Sequence, residues 1–303
     1  MSLLVVGSVA FDDIKSPRGH APRVLGGSGT YFGLAASFFT PVRVVGVVGD
    51  DFSAADEAVF RQRGIDLQGL ERVPGGKCFF WACEYESNPN VRHTLRTELN
   101  VFEHFQPKLP PAYMDSDFLF LGNIAPEQQC RVRDELGARA RLVGGDTMNF
   151  WITGMPGQVR QFLSRLHLLT INDEEAKLLT GEHNLHRAAK AIMGMGPAAV
   201  VIKRGEHGAT LYTANSYFGV PGYPLDDVFD PTGAGDAFAG GMLGYLAEQN
   251  RWDDAVLRRG VVYGSVMGSF ACERFGVERL TEITKADVEE RYREFVALTR
   301  FEA

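Results

Sequence analysis

The segment DPTGAGDAFAGG, residues 230–241, places one carboxylate within a run of glycines. The residues after Asp236 are nearly all small or apolar, which predicts a buried helix whose first turn runs from Gly233 to Asp236. The free N–H groups of a first turn form an anion site, and glycines let a phosphate approach it. Asp236 is either a helix cap or a base that takes a proton from a hydroxyl beside a phosphoryl group, and the pattern alone favours neither.

Two other phosphate-binding signatures are absent from the sequence. No G-x-x-x-x-G-K-S/T segment occurs, which disfavours a P-loop ATPase. The closest match to a dinucleotide fingerprint runs from Gly233 to Phe238 and has phenylalanine where glycine or alanine is required. A nicotinamide-dependent enzyme is therefore also disfavoured.

Composition limits the partners of this chain. Its 303 residues are 45% hydrophobic, which suits one large α/β domain with a small appendage. The net charge is −7 and there is no basic run, so nucleic acid is not an expected partner. The apolar start lacks a basic flank and is too short to span a membrane, which predicts a cytoplasmic protein with no membrane partner.

The cysteines and histidines show no disulfide or metal-binding pattern. The four cysteines lack a C-x-x-C pairing and lie in apolar surroundings, which is typical of buried thiols in a reducing compartment. His183 and His186 share a helical spacing without nearby carboxylate or cysteine ligands, so a solvated surface is favoured over a metal site.

Short apolar runs alternate with amphipathic or small-residue segments along most of the chain. This alternation predicts a largely parallel sheet between helices. The predicted strands are 3–9, 43–48, 117–121, 141–145, 166–170 and 198–203. The predicted helices are 28–39, 54–63, 127–140, 155–164, 174–180, 185–195, 233–249, 252–272 and 285–299.

A β-hairpin breaks this alternation. Residues 78–85 and 91–99 are strand-like runs joined by a polar turn. Trp81 and Tyr85 fall on one face of the first strand and Phe80 falls on the other, so both faces need cover. The hairpin is predicted to be a lid over a ligand and a contact in a homodimer, with insertion into the core as the alternative.

With the hairpin early and the GAGD turn late, the chain resembles the ribokinase-like (pfkB) carbohydrate kinase family along essentially its whole length. DPTGAGDAFAGG is similar to the C-terminal signature of that family, and LGGSGTYFGLAAS, residues 25–37, is similar to its N-terminal glycine-pair motif. The resemblance implies a three-layer α/β fold, with a mostly parallel central sheet between helices and a small β lid. It further implies a single kinase domain over residues 1–303, with the lid mainly at about 76–100 and with 11–24 as an additional candidate segment.

When the roles of the family's residues are transferred to the matching positions of this chain, the resemblance implies that Asp236 is the catalytic base. Gly233, Ala234 and Gly235 then form the anion hole for the transferring phosphoryl group. The helix dipole is expected to keep Asp236 ionised at neutral pH, ready to accept a proton late in the reaction. The same resemblance implies that ATP and Mg²⁺ are the cofactors, and that the acceptor is a hydroxyl of a sugar, nucleoside or related small molecule.

Two segments resemble the nucleotide-binding elements of the family. Asn172 to Glu175 is similar to its N-x-x-E element, in which the glutamate acts on Mg²⁺ through water. A capping box has the same pattern, and only the family context favours binding. Lys203, Gly205 and Gly208 resemble the loop that binds ATP, although an ordinary hairpin turn has the same composition.

The acceptor substrate is expected near the end of the first strand. Asp12 matches a family carboxylate that binds substrate hydroxyls, and Gly26 and Gly27 would let the backbone approach the same molecule. Asn149, which follows another predicted strand, is a further predicted substrate contact at the switch point of the sheet.

Aromatic side chains complete the predicted acceptor site. Tyr31 stands where ribokinases and many nucleoside kinases have asparagine, and it would offer a flat surface together with Trp81 of the lid. A site with polar groups on one side and aromatic rings on the other suits a sugar ring, or a nucleoside whose base contacts the aromatic rings. The resemblance narrowly favours a sugar or cyclic polyol as the acceptor, because the family is broader on the sugar side, with a nucleoside as the alternative. A non-catalytic regulator that binds nucleotide or sugar is the second alternative.

Asp230 and Thr232 resemble residues that hold a monovalent cation beside the anion hole in ribokinase-like members. Residues 271–276 would supply backbone carbonyls to the same ion. Oxygen ligands suit a hard cation such as K⁺, but the turn chemistry of Asp-Pro-Thr explains the pattern as well.

Overall fold

The computed structural model describes residues 2–300. In chain order the strands are β1 (Leu3–Val6), β2 (Ala10–Ser16), β3 (Gly19–Gly26), β4 (Val42–Val48), β5 (Asp66–Arg72), β6 (Phe79–Tyr85), β7 (Arg92–Glu98), β8 (Phe118–Leu121), β9 (Leu142–Gly145), β10 (Leu168–Asn172), β11 (Ala199–Lys203), β12 (Ala209–Thr213) and β13 (Tyr217–Val220). The α-helices are α1 (Ser28–Ala36), α2 (Ala54–Gln62), α3 (Pro126–Leu136), α4 (Asn149–Gly154), α5 (Pro156–Leu163), α6 (Asp173–Thr180), α7 (Leu185–Met193), α8 (Ala234–Gln249), α9 (Asp254–Ala271), α10 (Glu278–Glu282) and α11 (Lys285–Thr299).

A nine-stranded sheet forms the centre of the fold, in the order β13-β12-β11-β10-β9-β8-β1-β4-β5. The neighbouring strands from β11 to β5 are parallel, whereas β12 and β13 add to one edge in antiparallel pairing. Alternate residues of β1 belong to different hydrophobic clusters, Leu3 and Val5 to one and Leu4 and Val6 to the other. Both faces of the sheet are therefore covered, and the predicted α/β class with a mostly parallel sheet between helices is confirmed.

A second sheet has the strand order β3-β2-β6-β7 and is named here the lid sheet. Strand β2 pairs in parallel with β6, while β3 and β7 pair antiparallel on either side. The register sets Asp12 beside Trp81 and Tyr85 opposite Arg92, so these side chains share one face. Residues 11–24, whose place the sequence left open, lie in β2, β3 and the turn that joins them. Its action as a lid stays a prediction.

Helix α8 packs against α1 and α9 through small residues. A side chain on Gly240 would collide with the carbonyl of Phe32 in α1, and a Cβ on Gly264 in α9 would lie 2.9 Å from the carbonyl of Phe238. These close approaches explain why α8 and α9 carry small residues where they pack against their neighbours. Within residues 2–300, no helix is long and apolar enough to cross a membrane.

The observed elements differ from the predicted ones mainly at their ends. The predicted strand 3–9 ends at Val6, because the backbone of Gly7 packs against Ser28 and Gly29 before the chain enters the lid sheet. The predicted helix 127–140 ends at Leu136, where Gly137 adopts a φ of 57° that ends the helix. Among the helices and strands of residues 2–300, the sequence patterns miss seven elements, namely β2, β3, β5, β12, β13, α4 and α10. Strands β5 and β13 are sheet edges with exposed residues, so they lack a continuous apolar run.

Candidate active site

The glycine-rich segment leads into α8, and Asp236 lies partly buried in its first turn. Gly233 is the N-cap residue and has a φ of 72°, in the left-handed region that favours glycine. A side chain at this position would also collide with the ring of Tyr31. The helix begins at Ala234, one residue after the predicted start, and its first N–H groups and positive dipole end suit an anion. The role of Gly233, Ala234 and Gly235 as an anion hole stays a prediction.

Lys203 reaches the same turn from the end of β11. A Cβ built on Gly235 would lie 2.8 Å from the Lys203 Nζ, so the ammonium group borders the backbone of the first turn of α8. The positive charge of Lys203 thus lies next to the N-terminal end of α8, where the Ala234 N–H itself donates to the Pro231 carbonyl at 3.2 Å. This combination is suited to stabilising the charge of a phosphoryl group.

Burial raises the pKa of Asp236 to about 6, and the positive charge of Lys203 acts in the opposite direction. A carboxyl with this pKa is mostly ionised at neutral pH, as the sequence led us to expect, although by a smaller margin than for an exposed aspartate. A pKa close to the working pH is favourable for a general base, because the group both accepts a proton readily and is present in the ionised form.

We expect kcat/KM for phosphoryl transfer to rise with pH through about 6 and then level off. Asp236 must be unprotonated to act as a base, so acid below its pKa removes activity. The measurement is the pH dependence of kcat/KM from about pH 5 to 8 with saturating Mg²⁺ and ATP. A profile that is flat over this range, or that falls as the pH rises through 6, would contradict the assignment of Asp236 as the base.

Asp146 adds a buried carboxylate directly after β9. It is 7% exposed, and its Oδ1 atom has no hydrogen-bond partner among residues 2–300. Burial raises its pKa well above the usual value, the charges of Asp236 and Glu175 raise it further, and Lys203 lowers it. A buried carboxylate oxygen without a partner is costly, so this position suits a ligand or cation.

Asn172 and Glu175 form a capping box at the start of α6. The Glu175 N–H donates to Asn172 Oδ1 at 2.8 Å, and the Asn172 N–H donates to Glu175 Oε2 at 3.0 Å. The capping explanation of this motif is therefore present in the molecule. Glu175 is 9% exposed, and burial raises its pKa while Lys203 lowers it. Binding of ATP by both residues, and of Mg²⁺ through water by Glu175, stays a prediction.

The loop with Gly205 and Gly208 is the turn between the antiparallel strands β11 and β12. Gly208 has a φ of 81°, and a side chain there would collide with the carbonyl of Val220. Gly205 has a φ of 53°, and a Cβ there would lie 2.8 Å from Oδ1 of Asn90 in the β6–β7 hairpin. The hairpin-turn explanation of these glycines is thus correct, and their contact with ATP stays a prediction.

Asp12 lies on the face of the lid sheet that also carries Trp81 and Tyr85, named here the inner face, and it is 3% exposed. Burial raises its pKa well above the usual value, and the charges of Asp230 and Asp236 act in the same direction. Gly26 makes room for this carboxylate, since a side chain there would collide with it. Gly27 has a φ of 96°, and a side chain there would collide with the Ser8 carbonyl. Packing therefore explains both glycines, and their contact with substrate stays a prediction.

Tyr31, a predicted acceptor-site residue, packs against Gly233 of the predicted anion hole. Its side chain is 1% exposed, and its hydroxyl has no hydrogen-bond partner among residues 2–300. Burial raises the pKa of Tyr31 well above the usual value, with the charges of Asp230 and Asp12 next in size. Because the ring packs on the backbone of Gly233, it is the hydroxyl, rather than a flat face, that is unsatisfied.

The last two predicted substrate residues differ in their surroundings. Trp81 is partly buried on the same face of the lid sheet as Asp12. Asn149 is exposed at the first residue of α4, and within the described part of the chain its side chain makes no hydrogen bond to the other site residues. Substrate contact by either residue stays a prediction, and the buried Asp146 is the better placed of the two polar residues in this segment.

Asp230, which is buried, and Thr232, which is partly buried, form a turn before α8. Asp230 Oδ1 accepts from the Thr232 N–H at 2.8 Å, and Oδ2 accepts from the Gly276 N–H at 2.9 Å. The segment 271–276 is thus next to Asp230, as predicted for the cation loop, but both carboxylate oxygens already accept backbone hydrogen bonds. Burial raises the pKa of Asp230 to about 6. A monovalent cation here stays a prediction.

A lysine and a partly buried carboxylate beside the start of one helix, in a layered α/β fold, form the arrangement expected of a phosphotransferase. Residues 9–282 match the family described as pfkB family carbohydrate kinase. The chain belongs to this family, and the resemblance drawn from its motifs is confirmed. It is a phosphotransferase of the type that acts on sugars or nucleosides, a family that uses ATP with Mg²⁺.

The similar proteins include several that act on nucleosides. Cytidine kinase from Thermococcus kodakarensis is 27% identical over 290 residues, which cover 94% of this chain and 96% of the relative. Aminoimidazole riboside kinase from Salmonella typhimurium is 23% identical and covers 88% of each chain. A solved structure of Burkholderia thailandensis nucleoside kinase in complex with ADP-inosine has a TM-score of 0.80, is 18% identical, and covers 97% of this chain and 96% of its own.

Proposed function

We propose that this chain is an ATP-dependent nucleoside kinase, which transfers the γ-phosphate of ATP to a hydroxyl of a nucleoside. The observation that carries the proposal is the position of Asp236 in the first turn of α8, with the Lys203 ammonium beside the same turn. Two relatives that match over 94% and 88% of the chain act on a nucleoside and a riboside. They support the nucleoside over the sugar or cyclic polyol that the resemblance narrowly favoured.

In the proposed mechanism Asp236 accepts the proton of the attacking hydroxyl as the new P–O bond forms and the bond to ADP breaks. The N–H groups of the first turn of α8 and the Lys203 ammonium stabilise the charge on the transferring oxygens. Gly233 is required in this turn because of its left-handed backbone and the adjacent Tyr31 ring. Catalysis by this chain is thus mainly positioning and electrostatic stabilisation.

The residues around the first turn of α8 are compatible with Mg²⁺. Oxygen donors suit this ion, and Asp146 Oδ1 is a buried oxygen without a partner among residues 2–300. Glu175 uses Oε2 in the capping box, which leaves Oε1 outside the box for a water ligand of the metal. Bound Mg²⁺ would neutralise the phosphate oxygens of ATP, and Asp146 and Glu175 are the residues we propose to hold it.

The acceptor is proposed to lie between the lid sheet and α8. Asp12 supplies a carboxylate for vicinal hydroxyls, and Trp81 lies beside it on the same face with a surface on which a nucleobase can stack. Tyr31, whose ring packs on Gly233, supplies a hydroxyl that has no hydrogen-bond partner among residues 2–300. These groups match a ribose with an attached base, because such a molecule has both a diol and a flat ring.

We expect magnesium and ATP to give rapid ADP release with one or more nucleosides, and release at least about tenfold slower with hexoses, pentoses and inositols. The physical reason is that a free sugar has no ring to occupy the Trp81 side of the site. The measurement is kcat/KM across a panel of these four classes. A higher kcat/KM with a sugar or inositol than with nucleosides would contradict the proposal and favour the sugar or polyol acceptor instead. ATP binding without turnover of any acceptor would support the non-catalytic regulator.

Three further parts of the proposal concern the surroundings of the site. A monovalent cation binds next to Asp230 and Thr232, and the protein is cytoplasmic. The lid sheet contributes to a homodimer, for which Leu95, 52% exposed on β7, is an available apolar contact.

A further inference from the structure

Residues 271–276 are hydrogen-bonded to the turn that precedes α8. The Phe229 N–H donates to the Cys272 carbonyl at 2.9 Å, and the Gly276 N–H donates to Asp230 Oδ2 at 2.9 Å. The other carboxylate oxygen of Asp230 accepts from a backbone N–H directly before the predicted anion hole. The position of the first turn of α8 is therefore tied to the position of residues 271–276.

Glu273, within this segment, binds two arginines. Its Oε1 atom lies 2.6 Å from Arg291 Nη2, and its Oε2 atom lies 2.7 Å from Arg279 Nε. Arg291 belongs to α11 and Arg279 to α10. The side chains of Glu273 and Arg291 are only 18% and 12% exposed. Glu273, Arg279 and Arg291 thus form a mostly buried group of charges, named here the ion triad.

Arg291 makes further contacts on two sides of the ion triad. Its Nη1 donates to Ser269 Oγ at 3.1 Å, and its guanidinium lies 3.5 Å from the centre of the Phe270 ring, at the end of α9. The guanidinium also lies 4.4 Å from the centre of the Tyr223 ring, in the segment that leads to Asp230. One side chain of α11 therefore contacts both the end of α9 and the chain before Asp230.

Stability alone is a weak explanation for the ion triad. Removing charges from water is costly, and apolar residues of similar volume often stabilise a fold as well or better. An ion triad does hold its members in one arrangement, because separating them would leave a buried charge without a partner. The ion triad is therefore better suited to setting the position of residues 271–276 than to adding stability.

We propose that Arg291 is a positioning residue for phosphoryl transfer, which acts through Glu273 to hold residues 271–276, and with them Asp230, where they set the first turn of α8. The proposal rests on the proposed kinase function. Helix α11 begins at Lys285, beyond the residues 9–282 that match the family, so the family match does not account for this role. Contact between Arg291 and a substrate is not required.

Arg291→Met is expected to lower kcat and kcat/KM for ATP by the same factor of about tenfold, with KM changed by less than about twofold. Methionine can still pack between the Phe270 and Tyr223 rings, but it leaves Glu273 with one arginine partner among residues 2–300. The rate of transfer is most sensitive, because it depends on the placement of the first turn of α8. The measurement is steady-state kinetics at a temperature at which the variant is folded.

Arg43→Met is the matched control. Arg43 also pairs with one carboxylate, that of Asp115, donates to Ser116 Oγ at 3.0 Å, and lies 5.3 Å from the centre of an aromatic ring. It lies near the amino-terminal end of β4, whereas Lys203 lies at the carboxyl end of β11 in the same sheet. The control should also lower the free energy of unfolding, but it should keep wild-type kcat.

A double-mutant cycle tests whether Arg291 acts through Glu273. Glu273→Gln should lower kcat about as much as Arg291→Met, and the double variant should be no slower than either single variant, whereas independent roles would multiply the two effects. Arg291→Lys, which keeps a positive charge for Glu273, should recover most of the wild-type kcat.

Wild-type kcat in Arg291→Met would overturn the proposal, as would effects that multiply in the double variant. An equal loss of kcat in Arg43→Met would also overturn it, because the loss would then follow from lower stability. Absence of turnover in the wild type would instead contradict the kinase function itself.

Discussion

Asp236→Asn is expected to reduce kcat by about 10²-fold or more, with little change in the affinity for ATP. Asparagine has nearly the same shape and can still occupy the first turn of α8, but it cannot accept the proton of the attacking hydroxyl. The backbone N–H groups and Lys203, which border the same turn, remain in place. The measurement is steady-state turnover with the best acceptor, together with ATP binding by calorimetry.

Asp254→Asn is the matched control for this variant. Asp254 also lies in the first turn of a helix, α9, but it is partly solvent-exposed and pairs with Arg258 on the surface. The control should keep wild-type turnover, which would exclude a general effect of removing an acid from a helix start. Near-normal turnover of Asp236→Asn would remove Asp236 from the role of base.

Lys203→Met is expected to lower kcat/KM for ATP by about 10²-fold, because it removes the ammonium group beside the first turn of α8. It has a second consequence for Asp236, whose pKa Lys203 lowers. Without this charge the pKa of Asp236 rises, so the acidic limb of the pH profile moves above 6. The measurement is kcat/KM as a function of pH for the variant and the wild type.

Lys190→Met, on the exposed side of α7, serves as the control and should leave both the rate and the profile unchanged. A lower rate with an unchanged acidic limb would mean that Lys203 binds phosphate but does not influence the base. An unchanged rate would contradict its place in the phosphate site.

The fold is readily predicted from the sequence because its interior strands are continuous apolar runs covered on both faces. The run of small residues in α8 also predicts a buried helix, and Gly240 and Gly264 show why, since their missing side chains allow close packing with α1 and α9. The edge strands β5 and β13 are half exposed, so their sequences lack the run that identifies the others.

The site is harder to predict because several motifs have a structural cause as well as a functional one. Asn172 and Glu175 form a capping box, and Gly208 is required by the carbonyl of Val220, so neither pattern alone identifies nucleotide binding. Spacing along the chain also cannot show which buried groups lack partners. The Tyr31 hydroxyl and Asp146 Oδ1, which lack partners within the described residues 2–300, are found only when their surroundings are known.

Strand β7 illustrates a third limit. In the sequence it is a polar run with several charged residues, and alternation alone does not decide which of its faces turns inward. The pairing of Tyr85 with Arg92, together with the hydrogen bond from Tyr85 to Thr232, sets that face. A register shift within the hairpin, between Ala82 and Cys83, makes counting along the strand unreliable.

The central claim is that this chain transfers the γ-phosphate of ATP to a nucleoside, with Asp236 in the first turn of α8 as the base. The most direct test follows radiolabelled γ-phosphate from ATP into a panel of nucleosides and sugars, with wild type and Asp236→Asn in parallel. We predict that the wild type labels a nucleoside in step with ADP release, and that the variant labels at least about 10²-fold more slowly. Label in no acceptor while ATP is bound, or equal labelling by both proteins, would contradict the claim.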